Sequence, residues 1–75
     1  MVTIYTNVGC NACHRAMDFM TKNGVNFIEK NLADNPAYTT ELINLGFRMV
    51  PVIQTVDGEY LVGYNETALR KALGI

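Results

Sequence analysis

The sequence predicts an α/β fold: a four-stranded mixed sheet flanked by helices, with elements in the order β-α-β-α-β-β-α. Three observations predict it. Two β-rich runs, Val2–Thr6 and the stretch from Val25 to near Leu32, enclose residues whose apolar positions recur at helical spacing, the pattern of a βαβ unit. A second helical stretch follows. Asp57-Gly58 then marks a tight turn between two further β-like runs, which requires antiparallel pairing.

Each element has its own signals. Val2, Ile4 and Tyr5 around Thr3 have strand-forming side chains over a strand's length. A helix is expected to begin where Cys13 falls. Ala12, Cys13, Ala16, Met17, Phe19 and Met20 form its apolar side, and Arg15, Asp18 and Lys22 face the other way. Asn23-Gly24 stops it, glycine supplying the left-handed cap. Val25, Phe27 and Ile28 belong to the second strand. Asp34-Asn35-Pro36 reads as a helix start with proline in the first turn. Tyr38, Leu42 and Leu45 form that helix's apolar stripe, and Gly46 closes it.

Val50-Pro51-Val52-Ile53 is an apolar run containing a proline, tolerated only at a strand's beginning. The strand around Val52–Thr55 should pair with Glu59–Val62, and Gly63 should end the hairpin. Asn65 with Glu66 starts a last helix whose Ala68, Leu69, Ala72 and Leu73 face inward. Arg70 and Lys71 suit its C-terminal end.

Composition narrows the function. Seventy-five residues make one domain, 1–75, and 49% of them are hydrophobic. The net charge is −1 and the six lysines and arginines are scattered, so no basic stripe for nucleic acid is present. No run approaches the ~18 apolar residues of a membrane span. Met1 leads straight into a strand without a signal-peptide pattern, so a cytoplasmic monomer is expected. In the cytoplasm a lone Cys-x-x-Cys is more often catalytic or metal-binding than a structural staple.

That motif, Cys10-Asn11-Ala12-Cys13, holds the chain's two cysteines. Thiols three positions apart at a helix start lie on one face, close enough to form and break a disulfide. The helix N-terminus favours a thiolate at Cys10, and cysteines so placed ionise at roughly pH 3.5–7.5. Cys13 lies one turn in, on the stripe with Ala16, Met17 and Met20. Cys10 is therefore expected to attack a substrate disulfide and Cys13 to resolve the mixed disulfide, with no cofactor. The bland alternative is a pair of small apolar core residues.

Other chemistries remain open to the same residues. Cys10-Asn11-Ala12-Cys13-His14 satisfies the haem-attachment pattern, with Met49 as an available second axial ligand. Against it stand the β-structure on both sides and the lack of an export signal. His14 reads more simply as a surface residue on the first turn. Small copper carriers also open with a strand, Cys-x-x-Cys and a helix, but resemble Met-x-Cys-x-x-Cys, and here Val8 takes the methionine's place. Zinc would need about four ligands. Pro51, after the loop Gly46-Phe47-Arg48-Met49-Val50, fits a constrained and cis turn. It would bring Val50 backbone groups beside Cys10 for an extended substrate segment, with Phe47, Arg48 and Met49 on the rim. The alternatives are a core position for Met49 and a strand-start proline with no part in recognition.

By these residues the chain resembles a known group over nearly its whole length. Tyr5-Thr6…Cys10-x-x-Cys13-His14-Arg15-Ala16 looks like the active-site segment of glutaredoxins. Gly46-Phe47-Arg48-Met49-Val50-Pro51-Val52 is similar to the Gly-Phe-Arg-x-x-Pro-Val segment of NrdH-redoxins. The resemblance implies a thioredoxin-like fold and a cis Pro51. It also implies electron delivery from thioredoxin reductase to a class Ib ribonucleotide reductase, with Cys10 attacking and Cys13 resolving. Leu61-Val62-Gly63-Tyr64-Asn65-Glu66 stands where NrdH-redoxins resemble Trp-Ser-Gly-Phe-Arg-Pro, and it keeps Gly63 and an aromatic, Tyr64, as substrate-binding candidates. Glutaredoxins usually show Cys-Pro-Tyr-Cys, and many carry a cation where this chain has Asn7. With fewer partners for a charged tripeptide, glutathione is the second-ranked reductant.

Overall fold

In the computed structural model, which describes residues 1–75, β1 (Val2–Thr6) occupies an inner position of the sheet. It pairs in parallel with β2 (Phe27–Asn31) and antiparallel with β3 (Val52–Gln54). β4 (Tyr60–Val62) completes the order β2-β1-β3-β4 by pairing antiparallel with β3. The helices are α1 (Asn11–Lys22), α2 (Pro36–Asn44) and α3 (Glu66–Leu73). This is the expected β-α-β-α-β-β-α order.

Strand alternation divides the core between two faces. Val2, Ile4 and Ile53 turn towards Ala16, Phe19 and Met20 of α1 and Leu69 of α3. Tyr5 and Val52 turn the other way, towards Leu42 of α2, with Phe47, Val50 and Tyr60 packed around them. Leu42 is the one buried residue of α2, and burying such a side chain contributes about 1.5–3 kcal/mol. A polar latch adds to that hold. The Tyr5 hydroxyl donates to Glu41 Oε1 at 3.0 Å, and Lys30 Nζ reaches the same oxygen at 2.7 Å. Lys30 also lies 5.5 Å from the Tyr5 ring centroid. Its ammonium is the first cause holding the Glu41 carboxyl below its ordinary range. Burial is the first cause raising the Tyr5 hydroxyl, and the Glu41 contact raises Lys30.

The structure corrects several details. β2 starts at Phe27, two residues after the expected Val25, because the Val25 N–H is taken by the Met20 carbonyl at the end of α1. α1 starts at Asn11, two residues before Cys13, because Cys10 caps it. Leu45 is exposed, since α2 ends at Asn44 and Leu45 is only its C-cap. Ala68 is exposed on the flank of α3, beside Lys71 and Glu59, while Leu69 alone is fully buried there. The hairpin strands are one residue shorter than expected at the turn end, although Thr55 N–H still donates to the Glu59 carbonyl.

Candidate active site

The strand register places the site. Tyr5 pairs with Val52 and Val52 with Val62, so one row further Thr6, Pro51 and Gly63 lie side by side. Asn31 joins that row from β2. The Gly63 N–H donates to the Pro51 carbonyl at 2.8 Å, continuing the β3–β4 pairing. The loop carrying Cys10 leaves β1 from this same end. The cysteine loop, Pro51 and Gly63 are thus gathered at one edge of the sheet, where open α/β folds place their sites.

Cys10 has extended backbone, φ −95° and ψ 98°, and is the N-cap of α1. Its Sγ accepts from the Cys13 N–H at 3.1 Å, doing with sulfur what a serine or asparagine oxygen does at other helix starts. Gly9 takes φ 71°, a left-handed conformation disfavoured for side-chain-bearing residues, and turns the chain into the helix. The two cysteines form a disulfide, with Cα atoms 5.3 Å apart. Cys10 is half-buried, whereas Cys13 is 1% exposed. A partner can therefore reach the first sulfur and is screened from the second.

The remaining sequence-predicted residues divide. The Val50–Pro51 bond is cis and Pro51 is buried. The Val50 side chain packs on the Tyr5–Leu42–Val52 cluster, and neither its N–H nor its carbonyl takes a hydrogen-bond partner within the chain. Met49, 59% exposed, stands beside this segment, and Val8, 73% exposed, precedes the cysteines. The site thus carries an apolar fringe. Gly63 joins Pro51 as described. The Tyr64 ring is turned towards Phe19 of α1, with centroids 6.3 Å apart, and lines a groove between α1 and α3. His14 is exposed on the first helical turn. No cluster of three His, Cys, Asp or Glu side chains suited to a metal ion forms, and no helix is long and apolar enough to cross a membrane.

Sequence reasoning missed one contact near this end. The buried Thr6 hydroxyl donates to Glu29 Oε2 at 2.7 Å, tying the last residue of β1 to β2. Twenty-three residues separate the partners, and only the parallel register aligns them.

Known proteins are similar to this chain in sequence and in fold. The glutaredoxin family model matches residues 2–61. The glutaredoxin-like protein NrdH of Lactococcus lactis subsp. cremoris is 31% identical over 71 residues, covering 95% of this chain and 97% of the relative. The solved structure of the glutaredoxin-like protein NrdH-redoxin from Escherichia coli superposes with a TM-score of 0.83 at 28% identity, covering 93% and 91% of the two chains. A thioredoxin-like protein superposes with a TM-score of 0.88 at 23% identity, covering 97% of this chain and all of the other. The architecture is thioredoxin-like.

Proposed function

The chain belongs to the glutaredoxin family of thiol–disulfide oxidoreductases, and from that premise we propose that it is an NrdH-type electron carrier. In this reading, residues 1–75 form one cytoplasmic, monomeric redoxin domain. It delivers electrons to a class Ib ribonucleotide reductase and is itself reduced by thioredoxin reductase. The similarity to NrdH proteins along the whole chain supports the partner assignment.

The observation that carries the mechanism is the unequal exposure of two sulfurs in one helical turn. In the reduced protein, the Cys10 thiolate attacks one sulfur of the partner's disulfide. A Cys10–partner disulfide forms and the partner's other sulfur leaves as thiolate. Cys13, losing its proton, then attacks Cys10 Sγ. This forms the Cys10–Cys13 disulfide and releases the second partner thiolate, so two electrons pass to the partner, whose two thiolates take up the proton released by Cys13 and one more from solvent. The Cys13 N–H aimed at Cys10 Sγ stabilises negative charge on the attacking sulfur and again on the same sulfur when it leaves during reduction.

The unpaired Val50 backbone groups support a recognition role for this segment, since an extended substrate strand can hydrogen-bond to them. Pro51 and Gly63 frame that contact, and Met49 and Tyr64 supply apolar surface beside it. The test is a direct comparison. Oxidised protein is supplied with thioredoxin reductase plus NADPH, or with glutathione, and the rate of dithiol formation is measured. Faster reduction by the reductase is expected. Faster reduction by glutathione would replace this reading with that of a glutathione-dependent glutaredoxin.

A further inference from the structure

We propose that the groove between α1 and α3 docks an acidic polypeptide segment of the protein whose disulfide reacts at Cys10. The inference rests on the oxidoreductase reading above and adds to it the chemistry of the partner's recognition segment.

Charge is the first observation. Of the chain's six lysines and arginines, Arg15, Lys22 and Arg70 line this one groove, which has a volume of about 480 Å³. α1 and α3 together carry four cations (Arg15, Lys22, Arg70 and Lys71) against two carboxylates, Asp18 and Glu66. The rest of the chain carries two cations against five carboxylates. Asp18 and Glu66 line the same groove as Arg15, Lys22 and Arg70, while Lys71 lies on the other flank of α3 beside Asp57 and Glu59. In a chain of net charge −1 the groove therefore keeps an excess of one positive charge.

Availability is the second. The structure has two ion pairs, Lys30–Glu41 and Arg70–Glu66, which leave Arg15 and Lys22 unpaired. Arg15 and Lys22 lie two turns apart on one side of α1, about 10 Å along the axis. That spacing suits carboxylates distributed along an extended segment better than a single small anion. Arg70 is already positioned, its guanidinium 4.9 Å from the Phe19 ring centroid and its Nε 3.3 Å from Glu66. Its other N–H groups remain for an incoming carboxylate.

Continuity with the reactive end is the third. Tyr64 lines the groove, follows Gly63 directly, and Gly63 is hydrogen-bonded to Pro51. A segment seated between the helices thus runs to the edge of the sheet where Cys10 lies. Carboxylates on Arg15, Lys22 and Arg70, with an apolar side chain over Tyr64, would hold the partner while its disulfide meets the thiolate.

The test uses two synthetic peptides with the same internal disulfide, flanked in one by glutamates and in the other by glutamines. Oxidation of the reduced protein by each is followed between about 10 mM and about 1 M salt, where screening shortens from about 30 to about 3 Å. The acidic peptide should react roughly tenfold faster at low salt. That ratio should fall towards one at high salt and in an Arg15→Glu, Lys22→Glu variant. The neutral Arg15→Gln, Lys22→Gln pair should lie between. Equal rates for both peptides, or an unchanged ratio in a folded variant, would overturn the proposal.

A disulfide-free acidic peptide, with serines for cysteines, separates docking from chemistry. Its addition should shift the amide resonances of Arg15, Lys22 and Arg70, whether or not any disulfide is reduced. Docking there without electron transfer to either peptide would condemn the oxidoreductase reading and the docked-substrate proposal with it, leaving a bare binding groove. Shifts elsewhere would reject the groove alone. Displacement of the peptide by a lower concentration of single-stranded oligonucleotide would assign the face to nucleic acid and overturn the proposal.

Discussion

The backbone N–H of Cys13 points at the sulfur of Cys10 across 3.1 Å, so in the proposed mechanism the resolving residue supplies a hydrogen bond to the sulfur it later attacks. The acceptor is the cap of α1 and also the nucleophile proposed above. This arrangement leads to the first two predictions.

In the reduced protein, Cys10 should be alkylated much faster than Cys13, and its rate should fall with pH only well below the ~8.5 at which a free thiol is half ionised. Mass spectrometry of iodoacetamide adducts between pH 4 and pH 9 gives the profile. Equal labelling of both sulfurs would contradict the exposure difference.

Cys10→Ser should bring disulfide reduction to background. Cys13→Ser should instead accumulate a mixed disulfide with a protein substrate, joined through Cys10. Peptide mapping of the trapped adduct identifies the sulfur. A linkage through Cys13 in the Cys10→Ser variant, formed as readily, would reverse the assignment.

Glu41→Gln should lower stability at pH 7 and cost less at pH 3. The Glu41 carboxyl is held below its ordinary range by Lys30 and then by Tyr5, so its contribution is complete above about pH 4.5 and is lost as pH falls through the lowered value. Tyr5 and Lys30 are raised, so their contributions hold below about pH 10 and fade at higher pH. Urea midpoints of wild type and variant at pH 3, 7 and 10 give the comparison. Tyr5→Phe, which removes one hydrogen bond at a buried site, should cost about 1 kcal/mol at pH 7.

Gly63→Ala tests backbone conformation in isolation. Gly63 has φ +79°, and an added Cβ would meet nothing within 4 Å. The expected cost is about 1–2 kcal/mol from the left-handed conformation alone. A larger loss would point to disruption of the hydrogen bond to the Pro51 carbonyl.

Leu42→Ala should be the most damaging change in α2, by about 2–5 kcal/mol, because no other residue of that helix is fully buried. Chemical denaturation measures the loss. Amide exchange should show α2 opening ahead of β1.

Much of this was readable from residue types. Asn35 and Asn65 announce α2 and α3 because each side chain accepts a helix N–H at 2.9 Å, the usual asparagine cap. The start of α1 was displaced by two residues because its cap is a cysteine, which helix-start rules do not include. Leu45 and Ala68 are apolar, but apolarity does not fix where a helix ends or which flank it turns outward. The dithiol and Pro51 stood out by type and spacing, and the pairing rows then put them at one end of the sheet. Tyr64 could be named as a candidate, yet its turn towards Phe19 depends on how α3 meets α1. The Tyr5–Glu41–Lys30 latch was invisible. Its members are 36 and 11 residues apart and meet only once α2 lies on the sheet.

Asn31, Thr6, Pro51 and Gly63 finish level with one another, and this gives the reactive end the form of a shelf instead of a cleft. A shelf admits a bulky macromolecule edge-on and lets it depart without a gate, which suits the carrier role proposed above. It also surrounds a visitor on few sides. Selectivity among visitors must then come from the ground beside the landing place.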